Sequence, residues 1–152
     1  MYSNNRNIVV REIMSSPVVT GSLKEGVKDI AKKMKQHDVD SIVIVNQANE
    51  PVGIITEGDM VRRLLARTRN LLFFKAKDII SKPVLSVRGD MSMDDAAQTM
   101  MSKRVKKLCV VDEQGKLIGL VTQFDIIKNS TALIGVLREM VQAGYAEETE
   151  TA

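Results

Sequence analysis

One pattern occurs twice in this chain, 66 positions apart and without a gap: Gly53-Ile-Ile-Thr-Glu-Gly-Asp59 returns as Gly119-Leu-Val-Thr-Gln-Phe-Asp125. The same shift carries Ile13 to Ile79, Ser15 to Ser81, Pro17 to Pro83, Asp29 to Asp95, Met34 to Met100 and Val45 to Val111. Two copies are too few for a solenoid, so the chain must fold as two examples of one supersecondary unit. The repeat also turns single residues into pairs. A Thr and an Asp kept in register through two otherwise diverged copies mark a shared role.

Each copy reads as a short extended segment, a helix, two strands and a second helix. Pro17-Val-Val-Thr20 and Pro83-Val-Leu-Ser86 open the copies, and proline biases the residue before it toward extended geometry. Val27, Ile30, Ala31 and Met34 then recur at helical spacing, as do Met93, Ala96, Ala97 and Met100. Ser92 with Asp95 resembles a capping box, whereas Gly26 gives the first copy a weaker cap. Lys32, Lys33 and Lys35 read as a solvated face. The β-branched runs 42–45, 52–56, 108–111 and 117–122 are short and bounded by turn residues, so strands are expected. A second helix is expected to start at each Asp, Asp59 and Asp125, where free amides and the helix dipole favour a carboxylate.

Segments between and after the copies complete the division: a polar tail at 1–9, copy one at 10–67, a linker at 68–75, copy two at 76–129 and a C-terminal piece at 130–152. The linker's two phenylalanines, Phe73 and Phe74, are expected to cover the joint. In the last piece Leu133, Ile134, Val136, Leu137, Met140 and Val141 form one apolar stripe of an amphipathic helix before an acidic tail. That stripe needs another surface, either on its own chain or on a second one.

Composition excludes more than it assigns. A single cysteine, Cys109, rules out an internal disulfide, and it reads as a small buried hydrophobe within a strand. His37 is the only histidine, which rules out a conventional zinc site within one chain, and it reads as an exposed helix-end residue. No run of apolar residues is long enough to span a membrane, and the polar start is no secretory signal, so a cytoplasmic location is expected. A net charge of +3, 3% aromatic residues and no tryptophan argue against a dedicated nucleic-acid binder. There is no nucleophile elbow, phosphate-binding P-loop, His-Glu-x-x-His or Ser-His-Asp set, so the chain reads as a non-enzyme without a catalytic cofactor or a bound metal.

Four marks, each present in both copies, resemble the cystathionine-β-synthase (CBS) domain pair, or Bateman module. They are the Ile13-Met14-Ser15-x-Pro17-Val18 opening, the Ala-x-x-Met helix end, the apolar strand closing on Asn46 or Asp112, and the Gly-h-h-Thr-x-x-Asp motif, where h is apolar. The resemblance spans about residues 10 to 130. It implies an α/β (α+β) fold of two tandem β-α-β-β-α repeats packed sheet to sheet with pseudo-twofold symmetry, followed here by the C-terminal helix. It also implies two clefts between the repeats for adenosine-containing ligands such as AMP, ADP, ATP or S-adenosylmethionine. A regulatory or energy-sensing role, a homodimer and an effector protein encoded elsewhere belong to the same expectation.

An adenosine ligand needs an apolar slot for the base, a carboxylate for the ribose hydroxyls and cations for phosphate. By the resemblance, Thr122 with Asp125 and Thr56 with Asp59 meet the ribose. Met14, Pro17, Val19 and Val39 would face Leu120 and Thr122, while Ile80, Pro83, Leu85 and Val105 would face Ile54 and Thr56. Lys106 and Lys107, beside Lys103 and Arg104, offer phosphate contacts, whereas the first copy has Asp40 and Ser41 at the matching places. The Thr122–Asp125 cleft is therefore expected to be the better nucleotide site. Two other readings stay open. One is a nucleic-acid-associated protein using Arg62, Arg63, Arg67 and Arg69, and the other is a dimeric adaptor with degenerate clefts.

Overall fold

A computed structural model of the chain describes residues 7–67, 70–81 and 84–130. Pro83, Arg69, the C-terminal apolar stripe and the acidic tail lie outside the described residues.

The first copy contributes α1 (Val10–Ile13), β1 (Thr20–Gly21), α2 (Val27–His37), β2 (Ser41–Val45), β3 (Pro51–Thr56) and α3 (Glu57–Asp59). α3 runs on into a wider π-helical turn over Met60–Leu65, and a 3-10 turn follows at Leu71–Phe73. The second copy contributes α4 (Ala76–Ile79), β4 (Ser86–Arg88), α5 (Met93–Lys103), β5 (Lys107–Val111), β6 (Leu117–Thr122) and α6 (Gln123–Asn129). Two three-stranded sheets result, ordered β1-β2-β3 and β4-β5-β6, with a parallel first pair and an antiparallel second pair in each. The opening strands begin later than the sequence suggests: the chain pairs from Thr20 and Ser86 onward, not from the prolines.

The period of two along each strand divides its side chains between two cores. Ile42, Ile44 and Ile55 face α2, where Val27, Ile30 and Met34 complete one cluster. Leu108, Val110 and Val121 face α5, with Ala96 and Met100. The alternate residues Val43 and Ile54 of one sheet meet Cys109, Leu117 and Leu120 of the other, which is the sheet-to-sheet contact. Strands buried on both faces explain why the sequence shows continuous apolar runs and not alternation.

The copies exchange their opening helices. Val10 of α1 is fully buried in the core of the second copy, with Ile13 and Met14 packed on it. Ala76 and Ile79 of α4, and Ile80, belong to the core of the first. Backbone bonds fix the exchange: Val10 and Arg11 N–H donate to the carbonyls of Met91 and Gly89, both at 2.9 Å, and Ala76 N–H donates to that of Glu25 at 2.8 Å. Ser15 then pairs with Leu120, and Ser81 with Ile54. Gly119 and Gly53 make the approach feasible. A Cβ on Gly53 would stand 2.9 Å from Ile80 Cδ1, and one on Gly119 would collide with Met14.

Some expectations change in detail. Phe74 packs on the first core, but Phe73 is 78% exposed, so one phenylalanine covers the joint and not two. Lys33 is partly buried, 2.7 Å from Glu25 and donating to the Thr20 carbonyl, rather than simply solvated. His37 is the exposed last residue of α2, as its position suggests. Among the described residues, no helix is long and apolar enough to cross a membrane.

Candidate ligand clefts between the repeats

The closing motif forms a reciprocal cap whose order differs from the expectation. Thr56 and Thr122, not the aspartates, are the N-caps, and Asp59 and Asp125 are the third helical residues. Thr56 Oγ1 accepts the Asp59 backbone N–H at 3.2 Å, while Asp59 Oδ2 accepts the Thr56 N–H at 2.9 Å and its hydroxyl at 3.1 Å. Thr122 and Asp125 repeat the geometry at 3.2, 2.8 and 2.9 Å. Both partners face one small volume because N-cap and third residue share a side of the first turn.

The two carboxylates are otherwise in different states. Asp59 is 6% exposed, accepts the Ser81 hydroxyl on both oxygens, and lies 3.3 Å from Arg63 Nε. Arg63 in turn donates to the Ile80 carbonyl at 2.9 Å. Asp125 is only half-buried, and among the described residues its bonds fall on Oδ2 or the backbone and none on Oδ1. Ser81 belongs to the repeated opening as the 66-shift equivalent of Ser15, but residue type alone assigned it no place in the site.

A cavity of about 510 Å³ opens between the repeats on the Thr56 side. Ile54, Leu85, Val84, Val105 and Cys109 give it an apolar wall; Thr56 and Ser81 add hydroxyls; Arg62, Arg104, Lys106 and Lys107 stand against Asp40 and Glu57. A second cleft of about 430 Å³ holds Thr122, Gln123 and Phe124 with Asp40, Lys106 and Lys107. The lysines expected at the Thr122 cleft therefore stand between the two, while Arg104 and Val105 belong to the Thr56 side. The reason is that β5 begins at the sheet-to-sheet contact, opposite the start of β2. There Lys107 Nζ lies 2.8 Å from Asp40 Oδ1. The Lys107 ammonium holds the Asp40 carboxyl below its ordinary value, against a smaller upward push from burial.

Other expected residues fall as follows. Ile54, Thr56, Leu85 and Val105 come together, with Ile80 buried beneath them over Gly53. Met14 lies over Gly119, Leu120 enters the sheet contact, and Pro17 is exposed beside them. Val19 and Val39 pack on the first core, and Val39 lines a depression of about 550 Å³ with Met34, Met60 and Val61, not the Thr122 cleft. Burial pushes the Cys109 thiol up to about 12, consistent with an inert core residue. Among the described residues, no cluster of His, Cys, Asp and Glu has the arrangement of a metal site.

Two β-α-β-β-α units facing each other across paired clefts, each cleft edged by a Thr–Asp cap, define a tandem-repeat domain pair. The model of the CBS domain matches residues 10–66 and 76–132, and the chain belongs to that family. An uncharacterized protein of Methanopyrus kandleri is 40% identical over 134 residues, spanning 88% of this chain and 68% of its own. A CBS domain-containing protein of Bacillus subtilis is 31% identical, over 79% of this chain and 84% of its own. The solved CBS domain pair of protein MJ0100, in complex with 5′-methylthioadenosine and S-adenosyl-L-methionine, is 27% identical with a TM-score of 0.70, covering 78% of this chain and 92% of that one. A CBS-domain protein from Burkholderia ambifaria reaches a TM-score of 0.73 at 26% identity, covering 82% and 95%.

Proposed function

We propose that the chain is a regulatory module that binds an adenosine-containing small molecule in the inter-repeat clefts and answers with a change of shape. The observation that carries this reading is the Thr56 cavity. It combines an apolar wall for a base, hydroxyls beside a capping carboxylate, and several cations in one space of about 510 Å³. The ligands of the MJ0100 domain pair support the same chemical class. In this reading the clefts bind and signal.

A ligand spanning the two repeats would shift their mutual arrangement by its differential affinity for the two shapes. Transmission through a homodimer, to an effector protein in the cytoplasm, is part of the reading. Val61, Leu65, Leu72 and Phe73 supply exposed apolar side chains for such pairing.

The test is a thermal-shift screen with AMP, ADP, ATP, S-adenosylmethionine and methylthioadenosine. A ligand at about 100 times its Kd adds roughly 2.7 kcal/mol to stability, a rise of several degrees for a domain this size. Flat curves with all five at millimolar concentration would remove the adenosine reading.

A further inference from the structure

We propose that the two clefts divide adenosine ligands by charge: the Thr56 cavity takes a phosphorylated ligand, and the Thr122 cleft takes one without phosphate. This assignment rests on the adenosine-ligand reading and adds to it which cleft serves which class.

Charge is the first ground. Lys107 is committed to Asp40, but Arg62, Arg104 and Lys106 have no carboxylate partner among the described residues, and Arg62 and Arg104 reach only the Thr56 cavity. Of the carboxylates on that side, Asp59 is compensated by Arg63 at 3.3 Å and Asp40 by Lys107 at 2.8 Å, which leaves Glu57 alone against Arg62, Arg104 and Lys106. On the other side, among the described residues, no cation pairs with Asp125 and no bond falls on its Oδ1, which suits two neutral ribose hydroxyls and opposes phosphate.

Shape is the second. Gly58 lies at the turn into α3, and a Cβ there would collide with the Arg62 guanidinium, so the glycine is what lets Arg62 fold back over the cavity. Its counterpart under the 66-residue shift is Phe124, which lines the Thr122 cleft. The counterpart of Arg104 is Asp38. The first exchange puts a side chain into the second cleft; Asp38 lies outside it, in the depression beside Val39, so no cation takes the place of Arg104 among that cleft's described lining residues.

Calorimetric titration of the full chain with ADP and with 5′-methylthioadenosine tests the division. Arg104 sits at φ 54°, so Arg104→Asn keeps a residue that tolerates this backbone while removing the cation. It should weaken ADP roughly tenfold or more, the loss of one charge-assisted contact, and leave methylthioadenosine unchanged. Arg62→Gln should do the same, and Asp125→Asn should do the reverse. ADP binding that is insensitive to both arginine variants, or that falls with Asp125→Asn instead, overturns the division while leaving adenosine binding intact. Wild-type protein that binds neither ligand removes the underlying reading and this one with it. Unchanged circular dichroism in each variant separates lost contacts from lost fold.

Discussion

Ser81 Oγ lies 3.1 Å from Oδ1 and 3.2 Å from Oδ2 of Asp59, so the opening segment of one repeat holds the carboxylate that caps the last helix of the other. That hydroxyl occupies the acceptor positions a ribose would need. Ser81→Ala should therefore act with opposite signs on stability and binding. Losing a hydrogen bond to a buried charged group should cost about 1–3 kcal/mol by urea denaturation. Titration with ADP should show tighter binding, because the ligand no longer competes with Ser81. Weaker binding alongside the lost stability would show that Ser81 helps hold the ligand instead.

Asp40 and Lys107 form a pH-dependent tie between the sheets. The Asp40 carboxyl lies below its ordinary value of 3.8, so its contribution is complete above that pH and disappears as pH falls through the lower folded value. Asp40 is 65% exposed, which keeps the contribution within that of a surface pair, about 1 kcal/mol or less. Melting curves of wild type and Asp40→Asn should differ by a constant amount between pH 5 and 7, a range set by that carboxylate titration. They should converge below about pH 3.8. A gap that widens on acidification would contradict the pairing.

Gly53 and Gly119 are expected to refuse a methyl group. At Gly53 the obstruction includes Ile80 Cβ at 3.0 Å, next to the backbone, which cannot swing away. Gly53→Ala should destabilise by about 1–3 kcal/mol, the range for overpacked cores. Ile80→Ala added to it should restore part of the loss, despite its own cavity. Additive losses in the double variant would place the strain elsewhere.

Asp38 and Arg104 end their helices in the left-handed region, at φ 51° and 54°, without being glycine. Asp38→Gly, which removes the steric penalty at a helix end, should raise stability by about 1 kcal/mol. A fall in melting temperature would mean that the Asp38 side chain contributes more than its backbone costs.

Much of this architecture is readable from residue types. The runs at 42–45 and 108–111 had to be strands because β-branched residues there are short, continuous and bounded by turns. The Thr–Asp pairs were legible because duplication set them apart from chance. The exchange of α1 and α4 was not. The 66-residue shift takes Val10 to Ala76 whether each helix packs in its own repeat or in the other, so periodicity cannot distinguish the two. The place of Lys106 and Lys107 was hidden for a related reason: sequence gives their position along β5, but sheet packing decides which cleft that end of the strand borders. Which residue of each cap serves as N-cap was settled by backbone dihedrals that the residue types alone leave open.

The crossed opening helices carry a consequence for the chain as a polymer. A half-length fragment holding one copy would own a helix with no pocket to enter and a pocket with no helix to fill it. Its shortest route to a closed core is to lend its helix to a twin and borrow the twin's in return. The full chain is thus the covalent form of a reciprocal embrace, in which residues 68–75 do for two halves what concentration would otherwise have to do. Cutting that tether should not release two independent bodies, since each would leave with the other's keystone.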